Sequence, residues 1–136
     1  MILLIDTTDP EYIWIGIGKG GSIIFTRRFS ARYRQAELLL PAIQSGLRAL
    51  DANATALRAV GVVSGPGPFS ALRSGVVTAN AIAFALGIPV IGLRGAKLRN
   101  RQHFLAAVKN RLSTAPAFIS VLPVYGKTPS ITVTKS

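Results

Sequence analysis

No cysteine occurs in the 136-residue chain, which carries one histidine and five acidic residues. Without thiols there can be no disulfide, no thiolate nucleophile and no zinc–thiolate centre, and nothing points to an oxidising compartment. His103 stands alone, so neither a Ser-His-Asp arrangement nor a histidine metal site can be assembled around it. On a basic stretch it reads as a surface residue. The acids are Asp6, Asp9, Glu11, Glu37 and Asp51, with none after Asp51, which is poor material for paired-carboxylate catalysis. No basic leader precedes the first apolar run, and Asp6 cuts that run short, so the start does not read as a signal peptide. Residues 74–93 lack any charge and are long enough to span a bilayer. Ser74, Thr78 and Asn80 within them, and the Gly87-Ile88-Pro89 break, favour instead a helix running into a turn and a short strand. A cytoplasmic protein without a membrane segment is expected.

What the chain does have is apolar material, at 49% of residues, and a formal net charge of +11. The first is enough for the core of one domain. The second favours an acidic partner or nucleic acid; a basic proteome or a salt-rich habitat would give the same bias without marking any site.

The hydrophobic pattern predicts strands over 2–6, 12–17 and 22–29, the last two joined by the Lys19-Gly20-Gly21-Ser22 turn. Leu39, Leu40, Ile43, Leu47 and Leu50 fall at helical spacing, with Pro41 expected to kink or restart that helix. A buried strand follows over 59–64, then the rigid Gly65-Pro66-Gly67-Pro68 turn, a second helix over 69–86, a fifth strand over 89–93, a basic helix over 94–112 and a proline-punctuated extended segment. The order β-β-β-α-β-α-β-α implies an α/β fold with a mixed sheet, an antiparallel meander beside parallel strands. Such an order is similar to a single ribonuclease H-like domain, one half of an actin-like ATPase, and as a fold likeness it does not fix function.

Three groups of residues could carry function. Asp6-Thr7-Thr8, at the end of the first strand, reads either as a phosphate or metal contact or as a turn capped by its own side chains. Half a cleft would leave a nucleotide largely wet, where electrostatics are weak. Gly65-Pro66-Gly67-Pro68-Phe69 lacks the P-loop lysine, and its prolines remove donors, so it reads as a rigid lead-in to the second helix. Arg73 either clamps that lead-in or is solvated. Along the second helix Ala71, Gly75, Ala79 and Ala83 form a ridge of small residues, which suits either a partner helix or the domain's own sheet. Leu72, Val76, Val77, Ile82, Phe84 and Leu86 make the remaining faces apolar, as in a helix buried on more than one side. The first helix presents Leu38, Leu39, Leu40 and Ile43, so the two helices could join a partner's pair as a four-helix bundle. The alternative is that the chain's own C-terminal segment or basic helix covers them.

Gly65-Pro66-Gly67-Pro68-Phe69-Ser70-Ala71-Leu72-Arg73-Ser74-Gly75-Val76 resembles the Gly-Pro-Gly-Ser-Phe-Thr-Gly-Leu-Arg-Ile-Gly-Val stretch of the TsaB (YeaZ) family. Ala83-Phe84-Ala85-Leu86-Gly87-Ile88-Pro89-Val90-Ile91-Gly92 continues the likeness. Ile5-Asp6-Thr7-Thr8 is similar to that family's N-terminal Ile-Asp-Thr-Ser, and Gln35-Ala36-Glu37-Leu38-Leu39-Leu40-Pro41 to its His-Ser-Glu-x-Leu-Leu-Pro. Leu122-Pro123-Val124-Tyr125-Gly126-Lys127 resembles the start of its C-terminal pattern. Gln35, Pro68 and Ala71 replace the family's His, Ser and Gly. The chain looks like a shortened version: residues 1–93 as the ribonuclease H-like core, 94–114 as a basic helix in place of the second lobe, and 115–136 as an extended segment.

The resemblance implies a non-catalytic scaffold in synthesis of threonylcarbamoyladenosine at position 37 of tRNA. It implies no cofactor of its own, a heterodimer with the TsaD-type transferase through the first two helices, and recruitment of a TsaE-type ATPase. The expected partner surface is Glu37, Leu39, Leu40, Ile43, Leu47, Phe69, Leu72, Arg73, Gly75, Val76, Ala79, Asn80 and Ala83. A homodimer through the same face is an alternative when the chain is free. Arg94, Lys97, Arg99, Arg101, Lys109 and Arg111 are candidate tRNA contacts. Asp6, Thr7 and Thr8 motivate a third expectation, nucleotide binding or phosphotransfer.

Overall fold

The computed structural model describes residues 1–95, 100–114 and 120–123. Strands β1 (Ile2–Asp6), β2 (Tyr12–Lys19) and β3 (Ser22–Ser30) precede helix α1 (Gln35–Ala49). A short 3₁₀ turn, strand β4 (Ala59–Gly65), helix α2 (Phe69–Leu86), strand β5 (Val90–Arg94) and helix α3 (Arg101–Leu112) complete the order. The five strands form one sheet in the order β3-β2-β1-β4-β5. The meander is antiparallel, and β1, β4 and β5 run parallel. This is the mixed α/β sheet expected of a ribonuclease H-like domain.

Alternation along the strands divides the apolar residues between two faces. Leu3, Ile5, Ile13, Ile15, Ile17, Val60 and Val62 meet α1 and α2. Ile2, Leu4, Trp14, Ala59 and Val63 meet Phe104, Leu105 and Val108 of α3. Between these side chains the α3 side of the sheet is bare at its glycines. A Cβ added at Gly18 would lie 2.6 Å from Leu105, and one at Gly61 2.5 Å from Val108, while Gly16 lies under the Trp14 ring. Trp14 and Phe104 pack with ring centroids 6.3 Å apart at a tilt of 41°, within the usual range for aromatic pairs.

Helix α1 continues through Pro41 without restarting. Pro41 lies on the exposed side, in the second turn, so its ring meets solvent and the helix absorbs the one lost donor. Helix α2 ends on Gly87 at φ 67°, where the Ile88 N–H donates to the Ala83 carbonyl at 3.0 Å, a left-handed cap suited to glycine. The basic helix begins at Arg101, seven residues later than expected. Asn100 caps it, its side chain accepting from the His103 N–H at 2.8 Å, and Arg94 instead ends β5, paired with Gly65.

Candidate functional site

At the carboxyl end of β1, Asp6 serves its own turn. Its Oδ1 accepts from the Thr8 N–H at 2.9 Å and the Thr8 hydroxyl at 2.6 Å, and its Oδ2 accepts from Arg101 Nη1 at 2.5 Å. The Arg101 guanidinium lies 4.2 Å over the Trp14 ring. Arg101, expected as a tRNA contact, is thus a clamp that ties the start of α3 to β1 and β2, because the carboxylate and the indole face offer it two attractions at once. Thr7 is fully buried, and its hydroxyl finds no partner among the described residues. It sits against Gly75 of α2, where any Cβ would collide with that hydroxyl. A Cβ at Gly67 would lie 3.0 Å from the Thr8 backbone, so the two turns are stacked. The arrangement is a capped structural joint between β1, α2 and α3.

The small ridge of α2 faces inward. Ala71, Leu72, Gly75, Val76, Ala79 and Ala83 are all buried, as are Leu39, Ile43 and Leu47 of α1. Of the expected partner surface, Leu39, Ile43, Leu47, Leu72, Gly75, Val76, Ala79 and Ala83 are thus part of the domain's own core, where the small residues let α2 approach its neighbours closely, while Glu37, Leu40, Phe69 and Arg73 remain exposed. Asn80 is also occupied. Its amide donates to the Val121 carbonyl and accepts from the Val121 N–H, both at 2.8 Å, and Val121 fills the space above Gly92 of β5.

What the two helices expose is a different stripe. Phe69 is 56% exposed, Val77 56%, Phe84 74% and Leu40 of α1 45%. Arg73 and Glu37 are exposed among them. Phe69, Arg73 and Val77 are four residues apart and Phe84 seven further on, so they share the outer face of α2. Helical phase was the signal for Val77 and Phe84, which the ridge-centred surface left out: once 72, 76, 79 and 83 point inward, these two must point away. By length and composition α2 could cross a membrane; here one side of it packs on the sheet.

Of the remaining basic candidates, Arg94, Lys109 and Arg111 are exposed, and Lys97 and Arg99 lie outside the described residues. So does most of the 115–136 segment. Among the described residues no three of His, Asp and Glu come together as a metal-binding group.

The family model described as TsaD, tRNA N6-adenosine threonylcarbamoyltransferase, matches residues 30–117. An uncharacterized protein of Mycobacterium tuberculosis is 36% identical over 93 residues, 68% of this chain and 44% of that protein. A tRNA N6-adenosine threonylcarbamoyltransferase of Geotalea daltonii is 36% identical over 63 residues, 46% of this chain and 18% of the enzyme. Among solved structures, YeaZ from Pseudomonas aeruginosa superposes with a TM-score of 0.63 at 25% identity, over 68% of this chain and 43% of YeaZ. The chain therefore spans less than half the length of these relatives. With well over half of its residues matched and a YeaZ-like sheet, the chain belongs to the TsaD family of tRNA N6-adenosine threonylcarbamoyltransferases and their YeaZ-type relatives.

Proposed function

We propose that the chain is a cytoplasmic, non-catalytic docking subunit in the synthesis of threonylcarbamoyladenosine on tRNA. In this reading it binds a TsaD-type transferase through the outer faces of α1 and α2, and the pair recruits a TsaE-type ATPase. The observation that carries the reading is the apolar stripe of Leu40, Phe69, Val77 and Phe84. A surface helix with that many large apolar residues facing outward marks an interaction surface. A partner of TsaD type is supported by the match of this chain to the TsaD family model and its likeness to YeaZ. Asp6 is engaged by Thr8 and Arg101, and Asp9 accepts from the Glu11 and Tyr12 N–H groups, which supports a structural over a nucleotide-binding role.

Co-expression with a TsaD-type transferase, followed by size-exclusion chromatography, tests the reading. A stable heterodimer is expected; separate elution of the two chains contradicts it, and a dimer of this chain alone would assign the stripe to a second copy. Direct tRNA contact is a second reading, favoured by the exposure of Arg94, Lys109 and Arg111 in a chain without acids after Asp51. It requires a gel shift that weakens steeply with salt.

A further inference from the structure

On the α3 side of the sheet, at the end where β1 and β4 begin, lies a cavity of about 340 Å³. Its floor is apolar, built from Ile2 and Leu105, and Leu105 packs into the space left by Gly18. Its rim is cationic: Lys19 from β2, Arg58 from the approach to β4, and Lys109 from α3. No carboxylate lines it, and among the described residues none of these three cations forms an ion pair. Lys109 reaches over the hairpin, its Nζ 3.5 Å from where a Cβ of Gly21 would stand. The Gln102 amide donates to the Gly21 carbonyl at 2.7 Å and pins the hairpin to α3, so the rim is held in place. Burial, and after it the charges of Arg58 and Lys19, push the Met1 ammonium below its ordinary value.

Three cations from three separate elements around a concave apolar floor create a positive potential that no carboxylate of the lining relieves. We propose that this cavity is a phosphate site, in which Lys19, Arg58 and Lys109 hold the phosphate and Ile2 and Leu105 take the apolar part of the molecule that carries it. The volume suits a small phosphorylated molecule or one nucleotide of a single strand. The shared chemistry is a phosphate ester on a flat, partly apolar body, free or within RNA. The site goes beyond the docking function and is independent of it, since α2 covers the opposite face of the sheet.

The test is ¹⁵N–¹H spectroscopy of the full chain titrated with inorganic phosphate, adenosine monophosphate and a short single-stranded oligoribonucleotide. Saturable shifts at the Gly20 and Gly21 amides are expected. The double variant Arg58→Gln/Lys109→Gln, at exposed positions, should weaken binding by about tenfold or more, with the rest of its spectrum unchanged. Arg48→Gln, on α1 across the sheet, should leave affinity as it is. Binding of adenosine monophosphate as tight as that of the oligoribonucleotide assigns the site to free nucleotides; tighter binding of the oligoribonucleotide assigns it to RNA. The proposal is overturned if none of the three probes gives saturable shifts, if the double variant binds as the parent does, or if Arg48→Gln loses as much.

Discussion

The two layers that cover the sheet are packed by opposite size rules. Toward α1 and α2 the sheet supplies the bulk, from Leu3, Ile5, Ile13, Ile15, Ile17, Val60 and Val62, and α2 answers with Ala71, Gly75, Ala79 and Ala83. Toward α3 the sheet sets Gly16, Gly18, Ala59 and Gly61 between Ile2, Leu4, Trp14 and Val63, and the helix fills the gaps with Phe104, Leu105 and Val108. The difference bears on function. On α2 the stripe of small residues lies on the buried side, so the proposed docking surface lies on the opposite side of that helix. There α2 keeps Phe69, Val77 and Phe84 outward, whereas α3, two turns shorter, buries its large apolar residues and turns Lys109 and Arg111 to solvent.

Substitutions can break this comparison, the largest effect first. Phe104→Ala removes the main filling of the bare face and is expected to cost about 3–5 kcal/mol in denaturant unfolding. An effect below 1 kcal/mol, on the same scale, would mean that α3 contributes little to the core. Gly75→Leu pushes a side chain into Thr7 and should destabilise by about 1–3 kcal/mol or more, read as a lowered Tm. The same change would be silent for the fold if the ridge were a partner surface. Arg101→Gln breaks a partly exposed clamp, so the expected loss is no more than about 1 kcal/mol, shrinking in high salt. Val77→Glu/Phe84→Glu, at exposed positions, should move stability by less than about 0.5 kcal/mol per site while removing the apolar stripe.

Most of the architecture was legible in the sequence because strand alternation, the glycine turn at 20–21 and the helical spacing of α1 and α2 are local signals. Three features were not. The start of α3 turned on Asn100, a cap residue that a basic run starting at Arg94 obscured. The course of α1 through Pro41 depended on that residue facing solvent. The orientation of the small ridge required knowing that β1, β2 and β4 place large side chains on the α2 side, which spacing along α2 alone does not reveal. The same long-range pairing hid the fate of Asp6 and Arg101, 95 residues apart, and of Asn80 and Val121, 41 apart. The cationic cavity also escaped, since Lys19, Arg58 and Lys109 are scattered through the sequence and converge only in the fold.

In the proposed function, partner binding belongs to the outer face of α2 and not to the α3 side. Affinity for a TsaD-type transferase, measured by isothermal titration calorimetry for two folded variants, tests it most directly. Val77→Glu/Phe84→Glu should weaken binding by about a hundredfold, as loss of two central apolar anchors does, while Lys109→Gln/Arg111→Gln should stay within about twofold, as rim-type charges do. Full affinity in the first variant, or an equal loss in the second, would mean that the partner does not dock on the outer face of α2.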